Sequence, residues 1–356
     1  MKVIFDVLHL YYLPQYLPVY QHLTQQGHEA CFVFFEHTSI GQEKTYRSVI
    51  DDLALPHIWL ENQDKAFDCY KDSDADWILF NNEFLQGEAL SKVKKVALME
   101  HGIGPKACYY DKSETPVTVR FVEGQHRLDR LQTRFPTGNF IDTGFAKLDP
   151  ALNNQDPHIS LSTMGLEENK KTILYAPTFY PSSLMKFEAD FPAQFSDFNI
   201  ILKPHSFSLC KKRYADQKNR LTQWQSHSNV YLASEKEFNL VPFMQIADIM
   251  LSDASSAIFE FAALQKPIVW CNFYHLRWSY RGIFAYRFKQ RMDDDIEYFA
   301  KICQQADRYC DIRNAIESGS CEGDDFKAQK QQLVLQLAGK TDGKASERIV
   351  EYLLNN

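Results

Sequence analysis

Short, unbroken apolar runs recur along the chain, separated by longer polar stretches with helical spacing. Residues 2–8 read as a buried strand, and residues 14–26 as a helix ending at Gly27, where a residue able to take positive φ can cap it. EACFVFF (29–35), HIWL, WILFN (77–81), KKVALME (94–100), TVRFVEG (118–124) and NFIDTG (139–144) continue the series, with a helical stretch from Gln125 between the last two. Strands that are apolar along their whole length and alternate with helices belong to a parallel sheet covered on both faces.

From Asp149 to Lys171 the pattern breaks into polar sequence with Pro150, Asn153, Asn154 and Pro157, which reads as a linker. A second alternation follows in KTILYAPTF, NIILKPH, NVYLAS, ADIMLSD and KPIVWCNFY, and residues 326–354 read as two closing helices. The expected organisation is a Rossmann-like domain over 1–150, a linker over 151–171, a second Rossmann-like domain over 172–325 and closing helices over 326–356. Two such α/β domains facing a central cleft make the GT-B fold, with ligands at the carboxyl ends of the strands. One continuous α/β domain with a helical appendage is the competing architecture.

Composition narrows the class. At 356 residues, with 45% hydrophobic and 24% charged residues, the chain is globular, and its net charge of −7 argues against a protein that coats nucleic acid. Eight cysteines without a CxxC pair or metal-ligand spacing read as reduced thiols and predict neither a zinc site nor a redox motif. The N-terminus carries Asp6 and His9 and reads as a strand rather than a secretory signal, and no apolar run is long enough to span a membrane. A cytoplasmic protein is expected, with any membrane association peripheral. Aromatic residues, at 14%, are the surplus.

Four segments stand where strands pass into loops. After VALM come Glu100, His101, Gly102, Ile103, Gly104, Pro105 and Lys106: a histidine suited to general base work, glycines that let backbone approach a ligand, and a lysine for charge. Thr178, in APTF, offers a hydroxyl to a phosphate. Lys203 and His205, in KPH, are two groups able to carry positive charge, fixed by Pro204 as a clamp for an oxyanion or leaving phosphate. In the run Ser252 to Ala257, Asp253, Ser255 and Ser256 lead into a helix whose start can cradle a phosphate. Each segment also reads more plainly, as a turn or a cap. GxGxxG, GxxxxGK[ST] and GxSxG are absent, which removes the main support for a nicotinamide cofactor, Walker-type ATP hydrolysis and an α/β-hydrolase.

Taken in order, His101-Gly102, Ala176-Pro177-Thr178-Phe179, Lys203-Pro204-His205, Ser252-Asp253-Ala254-Ser255-Ser256 and Asp342-Gly343-Lys344-Ala345-Ser346-Glu347-Arg348 resemble the CDP-glycerol glycerophosphotransferase family, whose members prime or polymerise teichoic acids. Thr143-Gly144-Phe145-Ala146-Lys147-Leu148-Asp149 resembles a further segment of it. The resemblance implies a GT-B enzyme without cofactor or metal, using CDP-glycerol or a related CDP-alditol and a polysaccharide or lipid-linked acceptor, and releasing CMP. It implies His101 and His205 as the catalytic residues, with His101 the base toward the acceptor hydroxyl and His205 on the pyrophosphate together with Lys203, and Thr178, Ser255 and Ser256, beside Asp253, around the donor phosphates. The chain departs from the family pattern at Glu100, where many members carry an aromatic residue, at Tyr180, where an arginine is common, and at Ser206, where proline is usual.

Residues 270–291 hold five Arg or Lys and no acid among closely spaced aromatics. Three readings stand: an acceptor or lipid-headgroup surface using Arg277 and Arg281, a single-stranded nucleic-acid platform, or a packing loop with solvated arginines. Nucleic acid is not expected as a partner. For function, the alternatives are a GT-B glycosyltransferase or UDP-sugar 2-epimerase, and a nucleotide-binding module without catalysis.

Overall fold

The computed structural model describes residues 1–39, 42–280, 282–284 and 286–356. The chain forms two compact units: residues 1–103, 108–154 and 335–356 make the first, and residues 104–107 and 155–334 the second.

In the first unit seven strands form one sheet: β1 (Lys2–Val7), β2 (Glu29–Phe35), β3 (His57–Leu60), β4 (Trp77–Phe80), β5 (Lys95–Met99), β6 (Val119–Val122) and β7 (Phe140–Asp142). Their spatial order is β3-β2-β1-β4-β5-β6-β7, with every adjacent pair parallel. Ile4, Val33, Phe35, Ile78, Phe80, Val96 and Leu98, taken at alternate positions on adjacent strands, share one buried cluster with Ala66 and Tyr70. Phe5, between them in sequence, meets Phe32 and Tyr16 with ring centroids 4.9 Å apart. Tyr16 lies on the helix Leu13–Gln25 and donates its hydroxyl to the carbonyls of Asp6 and Leu79, which ties that helix to β1 and the end of β4. Gly27 ends the helix with φ of 79°, and the next residue, His28, donates its N–H to Leu23 O at 3.0 Å, closing the exposed carbonyl end.

The second unit repeats the plan with six strands: β8 (Thr172–Tyr175), β9 (Asn199–Leu202), β10 (Val230–Leu232), β11 (Ile249–Ser252), β12 (Ile268–Cys271) and β13 (Gln304–Ala306), in the order β10-β9-β8-β11-β12-β13. Its adjacent pairs are parallel too. β13 was not legible from pattern, because a three-residue polar strand at a sheet edge carries no apolar run. Much of the aromatic surplus is spent here: Tyr175, Phe187, Phe191 and Trp224 interlock, with neighbouring centroids 4.5 Å to 5.3 Å apart. Burying one such ring is worth about 1.5–3 kcal/mol.

The expected boundaries are corrected at both ends. Residues 155–171 belong to the second unit, where Asn199 Nδ2 donates to Glu167 O at 2.7 Å. The helix Ala345–Asn355 is part of the first, where Leu353 O accepts from buried Trp77 Nε1 at 3.0 Å. Asp149 receives the N–H groups of Ala345 and Ser346 at 3.1 Å and 2.7 Å, and Arg348 pairs with Asp342 while donating to Thr143 O. The segments 143–149 and 342–348 are therefore two halves of one joint that holds this helix. A Cβ at Gly343, where φ is 69°, would stand 2.2 Å from Asn153 Oδ1, so the turn into the joint requires glycine. Among the described residues no helix is long and apolar enough to cross a membrane, and all eight cysteines are free thiols.

Burial of Asp6 is costly. Asp6 on β1 is 4% exposed, and burial pushes its carboxyl up to about 7, against the opposing effect of a 2.6 Å hydrogen bond from Tyr70. Because the folded value lies above the ordinary 3.8, the folded state binds the proton more tightly. The cost is absent below pH 4, grows through the interval and is complete above pH 7. There it reaches a few kcal/mol, since each tenfold gain in proton affinity is worth about 1.4 kcal/mol. Asp6→Asn is expected to raise the melting temperature at pH 8 and to leave it nearly unchanged at pH 4. Thermal denaturation at both pH values checks this.

Candidate functional site

In a parallel sheet ligands gather where the strand order reverses, since the connections from the two central strands lead away in opposite directions and leave a crevice at their carboxyl ends. In the second sheet that point lies between β8 and β11, and three of the segments singled out in the sequence surround it. The loop after β8 contains Thr178, the loop after β9 contains Lys203 and His205, and the loop after β11 contains Asp253, Ser255 and Ser256.

Hydrogen bonds tie these loops together. Lys203 N–H donates to Tyr175 O at 2.9 Å and His205 N–H to Pro177 O at 3.2 Å. Ser252 Oγ donates to Ala176 O at 2.7 Å. Asp253 lies at the centre, fully buried. Oδ1 accepts from Thr178 N–H at 2.8 Å, and Oδ2 accepts from Ser183 N–H, Ser183 Oγ and Ser182 Oγ at 2.9 Å, 3.0 Å and 3.2 Å. Burial pushes its carboxyl up to about 6, and these four donors hold it down against that push. Both oxygens are therefore turned into the protein, and Asp253 orders the loops instead of facing a phosphate.

Two other expectations are narrowed. His205 Nδ1 accepts the Phe207 N–H at 3.2 Å, so that nitrogen holds no proton and the ring is neutral with its proton on Nε2. The KPH segment then presents one cation, half-buried Lys203, and one neutral donor, instead of two cations. Ser256 donates its hydroxyl to buried Glu260 at 3.2 Å, whereas Ser255 Oγ accepts from Ala257 N–H at 3.3 Å and keeps its own proton to give. Phe179, Phe207 and Tyr214 surround this corner, with Phe179 and Phe207 packed edge-on to His205 at 4.7 Å and 4.8 Å.

Arg277 joins this region. Its guanidinium lies 4.0 Å over the ring of Tyr180, two residues beyond Thr178, and donates to Tyr214 Oη at 2.7 Å. Earlier in that segment Trp270 Nε1 donates to Tyr274 Oη, and His275 N–H bonds Ser182 O. Arg281 lies outside the described residues. Trp278, Ile283 and Tyr286 are 77%, 85% and 51% exposed.

His101 occupies the equivalent place in the first sheet, where order reverses between β1 and β4. Its ring stacks on Tyr12, which follows β1, with centroids 4.5 Å apart, and meets Tyr11 edge-on at 5.4 Å. Its Nδ1 lies 3.3 Å from the carbonyl oxygen of Asn81, the residue after β4. A carbonyl only accepts, so in this contact Nδ1 is the donor and Nε2 is the ring nitrogen with a lone pair, the one able to serve as a base. Asn81 is fully buried and donates Nδ2 to Met99 O at 2.5 Å, which fixes the ends of β4 and β5 together. Gly102 is buried beside His101, whereas Lys106 belongs to the second unit and bridges Met292 there. Sequence reasoning missed Tyr12, Asn81, Ser182 and Ser183. The asparagine ending WILFN and the serine pair after Pro181 were the only signals they carried.

Among the described residues no three His, Cys, Asp or Glu side chains come together as a metal-ligand set.

Residues 124–355 match the family model described as CDP-glycerol:poly(glycerophosphate) glycerophosphotransferase, and His101, Gly102 and Lys106 precede that stretch. The teichoic acid ribitol-phosphate polymerase TarK of Staphylococcus aureus is 26% identical over 227 residues, covering 60% of this chain and 40% of the relative. The teichoic acid glycerol-phosphate primase of Bacillus subtilis is 29% identical over 135 residues, or 37% of this chain and 33% of the relative. The chain thus spans two-fifths or less of these relatives. A structure of the wall teichoic acid polymerase TagF superposes with a TM-score of 0.63 at 13% identity, covering 99% of this chain and 88% of that one. The UDP-GlcNAc 2-epimerase of Neisseria meningitidis, bound to UDP-GlcNAc, gives 0.65 at 15% identity over the whole of both chains. These likenesses establish the fold as GT-B.

Asp253→Ala strands the Thr178 and Ser183 N–H groups inside the protein. A loss of about 2–6 kcal/mol is expected at neutral pH, at ~1–3 for each of the two buried donors left unpaired. Ser182→Ala removes one donor to an acceptor that keeps others, and is expected to cost less than ~1 kcal/mol. Urea unfolding of the two variants measures the difference.

Proposed function

Because the chain belongs to the CDP-glycerol:poly(glycerophosphate) glycerophosphotransferase family, we propose that it moves an alditol-phosphate unit from a CDP-activated donor to a hydroxyl of a teichoic-acid-like or other surface-polysaccharide acceptor, releasing CMP. The observation that carries this reading is the meeting of Lys203, His205, Thr178 and Ser255 on loops bonded to one another at the strand-order reversal of the second sheet, inside the stretch that matches the family. Relatives named for glycerol phosphate and for ribitol phosphate both match, so the proposed donor is a cytidine diphosphate alditol, CDP-glycerol or CDP-ribitol.

In the proposed reaction an acceptor hydroxyl oxygen attacks the phosphorus bearing the alditol, in line with the bridging oxygen of the pyrophosphate. The bond to that bridging oxygen breaks and CMP leaves with the electron pair. The hydroxyl proton passes to Nε2 of His101. Lys203 opposes the charge on the phosphates, and the Nε2–H of His205 and the hydroxyls of Thr178 and Ser255 donate to their oxygens. Asp253 holds the Thr178 loop in place. Phosphoryl transfer asks for this kind of positioning and charge neutralisation more than for covalent help.

The reading extends to peripheral contact with the cytoplasmic face of a membrane. Exposed Trp278, Ile283 and Tyr286 lie in a stretch with five basic residues and no acid, which suits an anionic lipid surface.

His101→Ala is expected to lower CMP release by ~10² to 10⁴ while donor binding persists, the usual range for loss of a general base. CMP release from labelled CDP-glycerol and CDP-ribitol with lipid-linked acceptors measures the first, and thermal shift with each donor the second. If UDP-GlcNAc raises the melting temperature and neither CDP-alditol does, the epimerase reading replaces this one. Stabilisation by a CDP-alditol with no turnover on any acceptor points to a binding module. For the membrane, flotation with phosphatidylglycerol liposomes is expected at low salt, weakened at high salt and by Trp278→Ala. A protein that never floats with these liposomes removes the lipid contact.

A further inference from the structure

The residue before the proposed base is itself a buried acid. Glu100 is 3% exposed, and its Oε2 lies 3.8 Å from His101 Nδ1, the nitrogen that faces Asn81 O. At that distance a carboxylate does little for a neutral imidazole, but it forms an ion pair once Nε2 takes up a proton and the ring becomes cationic. The groups around the pair leave few others able to do this. Tyr11 and Tyr12 face His101 from the segment after β1, and burial pushes both phenols above their ordinary value, so they stay neutral. Tyr109 faces it from the helix Cys108–Asp111 at 6.0 Å, with the Arg127 guanidinium 5.8 Å over the far tyrosine ring. His9 stacks on Tyr11 behind them. Arg120, fully buried on β6, is held toward its charged form by Glu100, the largest of the effects opposing its desolvation. Its guanidinium is turned to Tyr109 O and Ser113. A cation therefore stands behind the carboxylate, and the carboxylate in turn faces His101.

We propose that Glu100 is a positioning residue for His101: with Asn81 O it keeps the ring proton on Nδ1, so that Nε2 is the nitrogen that takes the acceptor proton, and its negative charge stabilises the imidazolium formed when that proton arrives. The role rests on His101 being the base. An opposite charge within about 4–6 Å raises the pKa of a base by about 1–3, and the sharing of Glu100 with Arg120 puts the expected effect near the lower end. The sign follows directly. A carboxylate favours protonated His101, so replacing it with a neutral amide lowers the pKa, and the acid limb of the kcat/KM profile moves to lower pH.

The test uses Glu100→Gln and Glu100→Asp in the full chain, compared by pH-rate profiles and by NMR titration of labelled histidine rings, with the His101 signal assigned by its loss in His101→Ala. Glu100→Gln is expected to move both the His101 titration and the acid limb down by about one pH unit, and to lower kcat by at least ~10-fold with the donor KM unchanged. Glu100→Asp keeps the charge at greater distance and gives an intermediate shift, and it stands in if the amide leaves Arg120 too poorly neutralised for the chain to fold. An unmoved His101 titration in a folded variant overturns the proposal even where activity falls, because a purely structural loss lowers activity without moving that signal. A shifted titration with full activity in His101→Ala supports the coupling and overturns the base assignment instead.

Discussion

A parallel strand can be followed by another only through a crossover, so every strand in each sheet delivers its carboxyl end to the same edge. Where the order of strands reverses, two neighbouring ends send their chains to opposite sides and the edge opens. Both units place their chemistry there. In the first, the reversal between β1 and β4 brings Tyr12, Asn81 and His101 together from three separate strand ends. In the second, the reversal between β8 and β11 does the same for Thr178, Asp253 and Ser255, with Lys203 and His205 arriving from β9 next door. Without that constraint these residues would have no reason to meet, since up to 89 positions separate members of one group in sequence.

Buried carboxylates hold the loops in register. Asp253 gathers four donors from the loop after β8, and Asp149 gathers two from the start of the last helix. Each takes its N–H groups from a different part of the chain, which suits a carboxylate better than a backbone carbonyl because two oxygens can accept several bonds at once. Burial raises the carboxyl pKa at both positions, and those donors, helped at Asp149 by the Arg348 charge, oppose the rise. Arg120 is held toward its charged form by the neighbouring Glu100. Asp6, with a single tyrosine hydroxyl, is less compensated than Asp253 and is pushed further up.

What the sequence determined by itself was the repeating unit. The short apolar runs at 2–8, 29–35, 77–81, 172–175, 199–202 and 249–252, alternating with helical stretches, read as buried strands of a two-sided sheet, because a strand covered on both faces needs few polar positions. The order of short motifs also placed the chain in its family. Tertiary structure alone decided which end residues face each other and what each one's polar atoms are committed to. His205 reads as a cation in sequence and is a neutral donor in the fold, because a backbone N–H two residues on occupies its Nδ1. Asp253 and Ser256 read as phosphate contacts and are turned inward to Thr178, Ser183 and Glu260. Arg277 reads as an acceptor or lipid-headgroup contact and lies over the ring of Tyr180. Periodicity reports burial, which depends on the average character of a segment, whereas protonation and hydrogen bonding depend on single partners that lie far away along the chain.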